Sequence, residues 1–347
     1  MSTGKLYAIK METIESKKFL IVSGDDGVLV FNWDTDIAEK IQSQQRQLSS
    51  STLKKSEAMS SPTMRFKPHP SPLESRGIEV NDFQVLQGAN SNNNYLFGAA
   101  GDSFGAYKWD MTTGQLIKNY TSPGGGYLHA VQILPGDSST LLAGGEGGKL
   151  TMWDISQDKL IDHIDMTTVS AIDSSASPSA SSTSNLSRSN SKRSKNLPSR
   201  WITSICAQSP HWFTVAGGST GGSGGSGIRA SSSSSSSTSG FLATYHAPTR
   251  SLVSFTETRE TPQQLTMSPA STELSNSSPH NIVSVGNEGV VSHFNALTLE
   301  RTRRLWCTPP SAYSVESAGR YTAVAGVGCL VDIFDENGEK FLRLTIC

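Results

Sequence analysis

The chain has 347 residues, a formal net charge of −1 and 17% charged residues, which argues against a nucleic-acid binder that depends on a strongly basic domain. No apolar run approaches the length of about 18 residues that a membrane span requires, and the first residues lack the apolar core of a signal peptide. The four cysteines form no C-x-x-C pair, which predicts reduced thiols in the cytosol or nucleus.

A short unit recurs along the chain: an apolar strand, a glycine-rich turn, a second strand, and an aromatic residue followed by a polar one. In chain order the copies lie at 21–34, 97–110, 141–154, 213–218 continued at 240–247, 282–295 and 322–335. Two strands joined by a tight turn form a β-hairpin, and glycines in such a turn tolerate positive φ. The sequence therefore predicts six hairpins.

The copy "LLAGGEGGKLTMWD" at 141–154 also tests a nucleotide-binding interpretation. A phosphate-binding P-loop needs the pattern G-x-x-x-x-G-K-[ST]. If Gly148 and Lys149 ended that pattern, Ala143 would replace its first glycine and Leu150 its hydroxyl residue. The pattern fails at both positions, so we interpret these glycines as turn residues.

Each hairpin has a strand-like segment on either side. The preceding segments are candidate first strands at 6–11, 78–86, 127–134, 200–207, 262–268 and 312–317. The following segments are candidate outer strands, for example at 115–121, 159–166, 251–257, 303–308 and 341–347. Four antiparallel strands per repeat predict an all-β propeller. No strand is shared between the first and last repeats, so we expect the ring to close by side-chain packing alone or to require a further N-terminal blade.

Three polar or Ser/Gly/Pro-rich segments, 36–76, 170–199 and 219–239, are predicted to be low-complexity inserts looped out of a single propeller spanning residues 1–347. Within the first insert, "MRFKP" at 64–68 is a candidate short strand. Without the inserts, six repeats average about 42 residues, which fits a four-stranded blade, whereas seven would average about 36. The sequence predicts six blades.

The repeat period and the Trp-Asp pairs that begin at Trp33, Trp109 and Trp153 resemble the WD40 family. Segments 127–154, "RWITSICAQSPHWFTVAGG" at 200–218 and "VAGVGCLVDIFDENGEKFLRLTI" at 324–346 are similar to the THO complex subunit 6 family. That resemblance implies seven blades, so an N-terminal blade would be missing here. It also implies a non-catalytic nuclear scaffold of the THO/TREX assembly, which acts in mRNA processing and export. Its partners would be other THO/TREX subunits, coiled-coil ones among them, and its association with mRNA would be indirect.

Candidate catalytic groups do not form a recognisable motif. His129 lies where WD repeats place a histidine that hydrogen-bonds a turn residue. The remaining histidines of the repeats lack metal-ligand spacing: His163, His211, His246, His280 and His293. Acidic residues in the predicted turns are interpreted as caps of backbone amides: Asp25, Asp26, Asp102 and Glu146. No G-x-S-x-G motif occurs. We therefore predict no catalytic, cofactor-binding or metal-binding residue and no small-molecule substrate.

Two groups of residues are candidates for partner binding, because arginine and tryptophan dominate interface hot spots. The first is Arg200 with Trp201, which open one first strand. The second is Arg303, Arg304 and Trp306 in "ERTRRLW", interpreted either as a solvated outer strand or as a contact for an acidic partner or RNA. By contrast, the tryptophans of the Trp-Asp pairs are expected in the packing between blades.

Several alternatives remain open from the sequence. The basic stretch "SRSNSKRSK" at 187–195 is interpreted as a nuclear-import signal, an RNA contact or a plain linker. A WD40 scaffold of another assembly, such as a substrate receptor of a ubiquitin ligase, would often carry Trp-Asp-x-Arg, but Asp36, Thr112 and Ser156 occupy those positions. A propeller enzyme would need acidic or histidine residues that converge at the central channel.

Overall fold

The structure is a computed structural model, and it describes most of the repeat segments. The residues described are 6–24, 27–33, 35, 62–67, 79–87, 94–100, 105–123, 125–137, 139–169, 199–220, 238–268, 281–318, 321–328 and 330–345. Strands dominate them, and a short 3₁₀ turn occupies Met166–Thr168. Within these ranges no helix has the length and apolar character that crossing a membrane requires.

The strands form six four-stranded antiparallel sheets, which confirms the predicted all-β propeller with six blades. Blade 1 contains β1 (Leu6–Ile14), β2 (Lys17–Gly24), β3 (Gly27–Asn32) and β4 (Met64–Phe66). Blade 2 contains β5 (Val80–Leu86), β6 (Tyr95–Ala100), β7 (Gly105–Asp110) and β8 (Leu116–Thr121). Blade 3 contains β9 (Leu128–Ile133), β10 (Thr140–Gly145), β11 (Lys149–Asp154) and β12 (Lys159–Asp165).

The second half of the chain follows the same order from inner to outer strand. Blade 4 contains β13 (Ser199–Ala207), β14 (Trp212–Thr220), β15 (Thr238–His246) and β16 (Ser251–Thr258). Blade 5 contains β17 (Pro262–Met267), β18 (Asn281–Gly286), β19 (Val290–Asn295) and β20 (Arg301–Trp306). Blade 6 contains β21 (Ala312–Ala318), β22 (Tyr321–Gly326), β23 (Leu330–Phe334) and β24 (Lys340–Thr345).

Strands extend into all three segments that the sequence assigned to inserts. The candidate short strand at 64–68 is observed as β4, the outer strand of blade 1. Ser199 opens β13, and β14 and β15 include residues 219–220 and 238–239. The candidate strand within the first insert is therefore present, and the looping of the inserts out of a single propeller stays a prediction. Backbone hydrogen bonds of a ladder also form between serine and threonine residues, so a polar composition does not by itself end a strand. The remainder of each insert, including 187–195, lies outside the described residues.

Two compact units divide the chain, 1–131 and 132–347. In the first, Phe66, Phe83 and Trp109 are fully buried in one apolar cluster between blades 1 and 2. The indole Nε1 of Trp109 donates a hydrogen bond to the carbonyl oxygen of Lys67 at 3.1 Å. The Trp153 side chain in blade 3 is also buried, whereas Trp33 is half-buried. The expected core position is confirmed for Trp109 and Trp153.

In the second unit, separate apolar clusters lie on the two faces of blade 5. Phe294 packs with Leu242 of blade 4 on one face. Val291 packs with Val315 and Val324 of blade 6 on the other. Blade 5 is therefore a sheet buried on both faces, which leaves its outer strand β20 as its exposed part.

Polar side chains on the first strands tie neighbouring blades together in the first unit. Lys10 Nζ of β1 donates to the carbonyl oxygen of Phe83 in β5 at 2.8 Å. The backbone N–H of Val131 in β9 donates to Asp82 Oδ2 at 3.1 Å. The ladder of β5 is interrupted by a bulge between Val80 and Asp82, so Asp82 lies directly beside it.

The second unit repeats this arrangement with different residue types. The N–H of Leu265 in β17 donates to Ser204 Oγ of β13 at 3.0 Å. The N–H of Val315 in β21 donates to Gln264 Oε1 of β17 at 2.8 Å. The bulges again lie beside the bonding side chains. The first strands thus hold successive blades by bonds between a polar side chain and the backbone, in which Lys10 is the donor and Asp82, Ser204 and Gln264 are acceptors.

The turn glycines have the conformation expected from the sequence. Gly148 has φ of +64°, and a Cβ there would lie 2.5 Å from the carbonyl oxygen of Arg200. Gly289 has φ of +62°, and its Cβ would lie 2.5 Å from the carbonyl oxygen of Pro309. Both turns therefore need glycine for the backbone conformation and for the close approach of the segment that opens the next blade.

Candidate partner-binding surface

The outer strand β20 is basic and largely exposed. The side chains of Arg301, Arg303, Arg304 and Trp306 are all exposed, and Leu305 is half-buried. Trp306 keeps 66% of its surface exposed, and tryptophan beside arginine is the composition enriched in interface hot spots. Three of the sequence-predicted partner residues therefore lie together on the outer edge of blade 5.

Neighbouring groups hold the Trp306 indole in place. The guanidinium carbon of Arg304 lies 4.9 Å from the centre of the Trp306 ring, within cation–π distance. Arg304 Nη2 lies 2.8 Å from Glu260 Oε1 and 3.7 Å from Glu288 Oε2. Because the Glu260 side chain is largely buried, with 12% exposed, it fixes the guanidinium and so the indole beneath it. A preordered tryptophan loses little conformational entropy when a partner covers it.

Arg303 points to the opposite face of the same strand. It pairs with His293 of β19 in the ladder, and its Nη1 donates to the carbonyl oxygen of Glu336 at 3.2 Å. Burial, together with the Arg303 charge, lowers the pKa of His293 to about 4. His293 is therefore neutral at physiological pH, and this face of the strand carries the Arg303 charge alone.

A small, shallow recess opens between the end of blade 4 and the blade 4 side of blade 5. Hydroxyl groups of Thr258, Ser284 and Ser292 lie in its wall, along with the Glu260 carboxyl group. The Ser292 hydroxyl is buried and makes no hydrogen bond within the described part of the chain. The recess is polar, and Arg304 is bound to Glu260 in its wall.

Arg200 has an internal position instead. Only 4% of it is exposed, and its Nη1 donates to the carbonyl oxygens of Met166, at 2.8 Å, and of Val169. Its guanidinium carbon lies 4.8 Å from the ring centre of Phe255, and burial lowers its pKa. Glu257 Oε1 lies 3.8 Å from its Nη2. The structure therefore gives Arg200 a role in fixing the 3₁₀ turn to blade 4, and a partner contact at Arg200 remains a prediction.

Trp201 is half-buried against its own sheet. A Cβ at Gly218, its partner across β13 and β14, would lie 2.0 Å from the indole ring, so the ring rests directly on the glycine backbone. The second Trp of this blade, Trp212, lies 4.7 Å from the ring of His246. The structure thus does not bring Arg200 and Trp201 together with β20 residues into one surface.

An important charged cluster in blade 6 was not found by sequence reasoning. The Asp332 side chain in β23 is completely buried, and its Oδ2 lies 2.8 Å from Lys340 Nζ and accepts the N–H of Thr308. Arg343 Nε lies 3.5 Å from the other carboxyl oxygen. Burial alone would raise the pKa of Asp332, but the hydrogen bonds from Lys340 and Thr308 outweigh it and hold that pKa below its ordinary value. The cluster ties blade 6 to the segment after β20.

Groups suited to catalysis are dispersed in the described residues. No three histidine, cysteine or acidic side chains there come together as metal ligands would. Burial raises the pKa of the Cys307 thiol to about 11, so it stays protonated. His129 is half-buried in β9 and Glu146 is exposed in a turn. The predicted capping residues Asp25, Asp26 and Asp102 lie outside the described residues.

The chain is a β-propeller protein of six four-stranded blades, consistent with a WD40-type fold. No family model matches it, and neither does any curated protein. Among solved structures, the crystal structure of Raptor from Chaetomium thermophilum is similar, with a TM-score of 0.62 over 99% of this chain and 12% sequence identity. The chain spans about a quarter of that structure, with 24% covered. At this identity the similarity shows the fold alone.

Proposed function

We propose that this protein is a non-catalytic scaffold that binds other proteins. The observation that carries the proposal is the preordered Trp306, 66% exposed and held by Arg304 on the outer strand of a buried sheet. A rigid sheet that presents an exposed Trp–Arg pair has the composition of an interface hot spot. Propellers offer such surfaces on a fixed framework, because each blade is locked by its neighbours.

More specifically, we propose that the scaffold acts in the nucleus as a subunit of a THO/TREX-type assembly in mRNA processing and export. The support is the resemblance of segments 127–154, 200–218 and 324–346 to the THO complex subunit 6 family, together with the propeller fold. Its partners would be other THO/TREX subunits, including coiled-coil ones, and its contact with mRNA would be indirect.

Purification of the chain, tagged at its native locus, from nuclear extract at moderate salt tests this proposal. We expect THO subunits in stoichiometric amounts, and their recovery should persist after nuclease treatment because the contacts are between proteins. The same tagged chain with Trp306→Ala and Arg301→Glu shows whether β20 takes part. Recovery of a cullin adaptor or of another complex without THO subunits would refute the THO assignment.

A further inference from the structure

We propose that β20 binds an extended acidic peptide, which pairs with its open edge as a fifth strand of blade 5. This inference rests on the proposed protein-binding function but not on which assembly the protein belongs to. β20 is the last strand in its sheet, so its outer edge has no partner strand in the described chain. Its six residues span about 20 Å, enough for the main-chain bonds of strand addition.

Charge distinguishes this edge from the other outer strands. β20 has three arginines and no acidic residue. By comparison, β4 and β8 have one cation each, β12 has residues of both signs, and the charged residue of β16 is a glutamate. The strand β24 is also basic, but Lys340 and Arg343 are both bound to the buried Asp332. In contrast, Arg301 makes no ion pair with any described carboxylate. Uncompensated positive charge along an open edge favours a segment with negative charge.

The ladder determines which side chains an added strand would meet. Arg301, Arg304 and Trp306 pair with Phe294, Ser292 and Val290 of β19, so they lie on the face toward blade 4. Arg303 pairs with His293 and lies on the other face. A strand beside β20 would therefore place side chains near arginine on both faces at one end and near the Trp306 indole at the other. A peptide with acidic residues beside the arginines and an apolar residue beside Trp306 fits this order.

Peptide fits this surface better than RNA. Single-stranded nucleic acid needs free aromatic faces for base stacking and an uninterrupted basic track. Here the guanidinium of Arg304 lies over one face of the Trp306 ring at 4.9 Å, so that face does not stack on a base. Glu260 and Glu288, at 2.8 and 3.7 Å from Arg304 Nη2, interrupt the basic track that a phosphate backbone would follow. A peptide can instead place an apolar residue there and keep its acidic residues beside Arg301 and Arg303.

Fluorescence anisotropy on the full-length chain tests the proposal with three labelled probes. They are a ten-residue peptide of four central glutamates flanked by three valines on each side, the same peptide with lysine for glutamate, and a ten-nucleotide oligouridine. We expect the acidic peptide to bind, the lysine peptide to fail, and the RNA to bind more weakly than the acidic peptide. Arg301→Glu and Trp306→Ala should each weaken binding of the acidic peptide by about tenfold or more.

Matched variants make the outcome specific. Arg65→Glu is the control for Arg301→Glu, because it reverses the charge of an exposed arginine on another outer strand, β4. Phe341→Ala is the control for Trp306→Ala, because Phe341 on β24 is 67% exposed and Trp306 is 66% exposed. Both should bind as wild type, and all four variants should retain the wild-type circular dichroism spectrum. No binding of the acidic peptide, equal losses in the control variants, or tighter RNA binding would overturn the proposal. Copurification without THO subunits would refute the assembly assignment and leave this result untouched.

Discussion

Replacement of Asp332 by asparagine tests whether the buried carboxylate in blade 6 stabilises the fold. In Asp332→Asn, the hydrogen bond from Lys340 Nζ at 2.8 Å loses its ionic character, and so does the bond from the Thr308 N–H. Hydrogen bonds to a charged group contribute about 1.5 to 3 kcal/mol each. Lys340 is 30% exposed and can turn toward water, so its charge is not left buried. We expect a loss of about 2 to 4 kcal/mol in the free energy of unfolding.

The pH dependence of the same variant provides a second check. The pKa of Asp332 is lower in the folded state than in the unfolded chain, where aspartate titrates near about 3.9. A carboxyl group whose pKa is lower in the folded state stabilises the fold at a pH above its pKa in the unfolded chain. That stabilisation disappears as the pH falls through its pKa in the folded state. The difference in the free energy of unfolding between wild type and Asp332→Asn should therefore be largest at pH 7 and should decrease below about pH 4.

Urea unfolding followed by tryptophan fluorescence measures both effects. Asp162→Asn is a matched control, because Asp162 also pairs with an arginine, Arg250 at 3.0 Å, but both side chains are well exposed. That pair should contribute less than about 1 kcal/mol. If Asp332→Asn cost no more than Asp162→Asn, or if its effect did not shrink in acid, the assigned role of the cluster would be wrong.

Three further predictions address other parts of the fold. Gly148→Ala should lower the free energy of unfolding by about 1 to 3 kcal/mol, because the residue has positive φ and the added Cβ would clash with a carbonyl oxygen. Gly114 also has a positive φ, of +74°, but lies in open space, so Gly114→Ala should lower the free energy of unfolding by less. Thermal unfolding measures both variants. Lowering the pH from 7 to 5 should reduce the free energy of unfolding by about 1 to 2 kcal/mol, because His293 has a pKa of about 4 in the folded protein and a higher pKa in the unfolded chain. His293→Gln should flatten that dependence in urea titrations. Trp109→Phe should lower the free energy of unfolding by about 2 to 4 kcal/mol, because it removes a buried hydrogen bond and part of a buried indole. Trp306→Phe should have almost no effect, because Trp306 is exposed. Urea denaturation measures both variants.

The blade architecture could be predicted from the sequence because one structural unit recurs. In every hairpin the alternation of apolar residues and the turn glycines is repeated, and Gly148 and Gly289 have the positive φ that the pattern requires. A repeat is detectable without knowledge of any contact, because each copy supports the others. The short strand β4 was only a candidate because three residues carry little periodicity.

The links between blades could not be predicted, because they depend on position and not on residue type. Aspartate, serine and glutamine accept a backbone N–H of the next blade at Asp82, Ser204 and Gln264, each directly after a bulge. In blade 1 the bond comes instead from Lys10, which donates to a carbonyl oxygen. Three residue types in one role, and a fourth with the opposite polarity, leave no pattern in a single sequence.

The partner-binding residues show the same limit for charge. Arg200, beside a tryptophan at the start of a strand, was as plausible a surface residue as Arg304 in the sequence, yet it is 4% exposed and bound to backbone carbonyls. The burial of an arginine depends on whether carbonyl oxygens converge on it. At Arg200 these oxygens come from a distant turn, in which Met166 precedes Arg200 by 34 residues.

The two basic outer strands of the second unit show why available charge, rather than charge content, indicates a binding surface. β24 presents Lys340 and Arg343, and β20 presents Arg301, Arg303 and Arg304, so the sequence alone identifies both strands as basic. In blade 6 a buried carboxylate binds both cations, and their charge serves the fold. In blade 5 the carboxylates bind Arg304 alone, which orders Trp306 and leaves Arg301 without an acidic partner among the described residues. An acidic ligand gains more from the second arrangement, because the charge it meets is not already neutralised and the aromatic anchor is already in place.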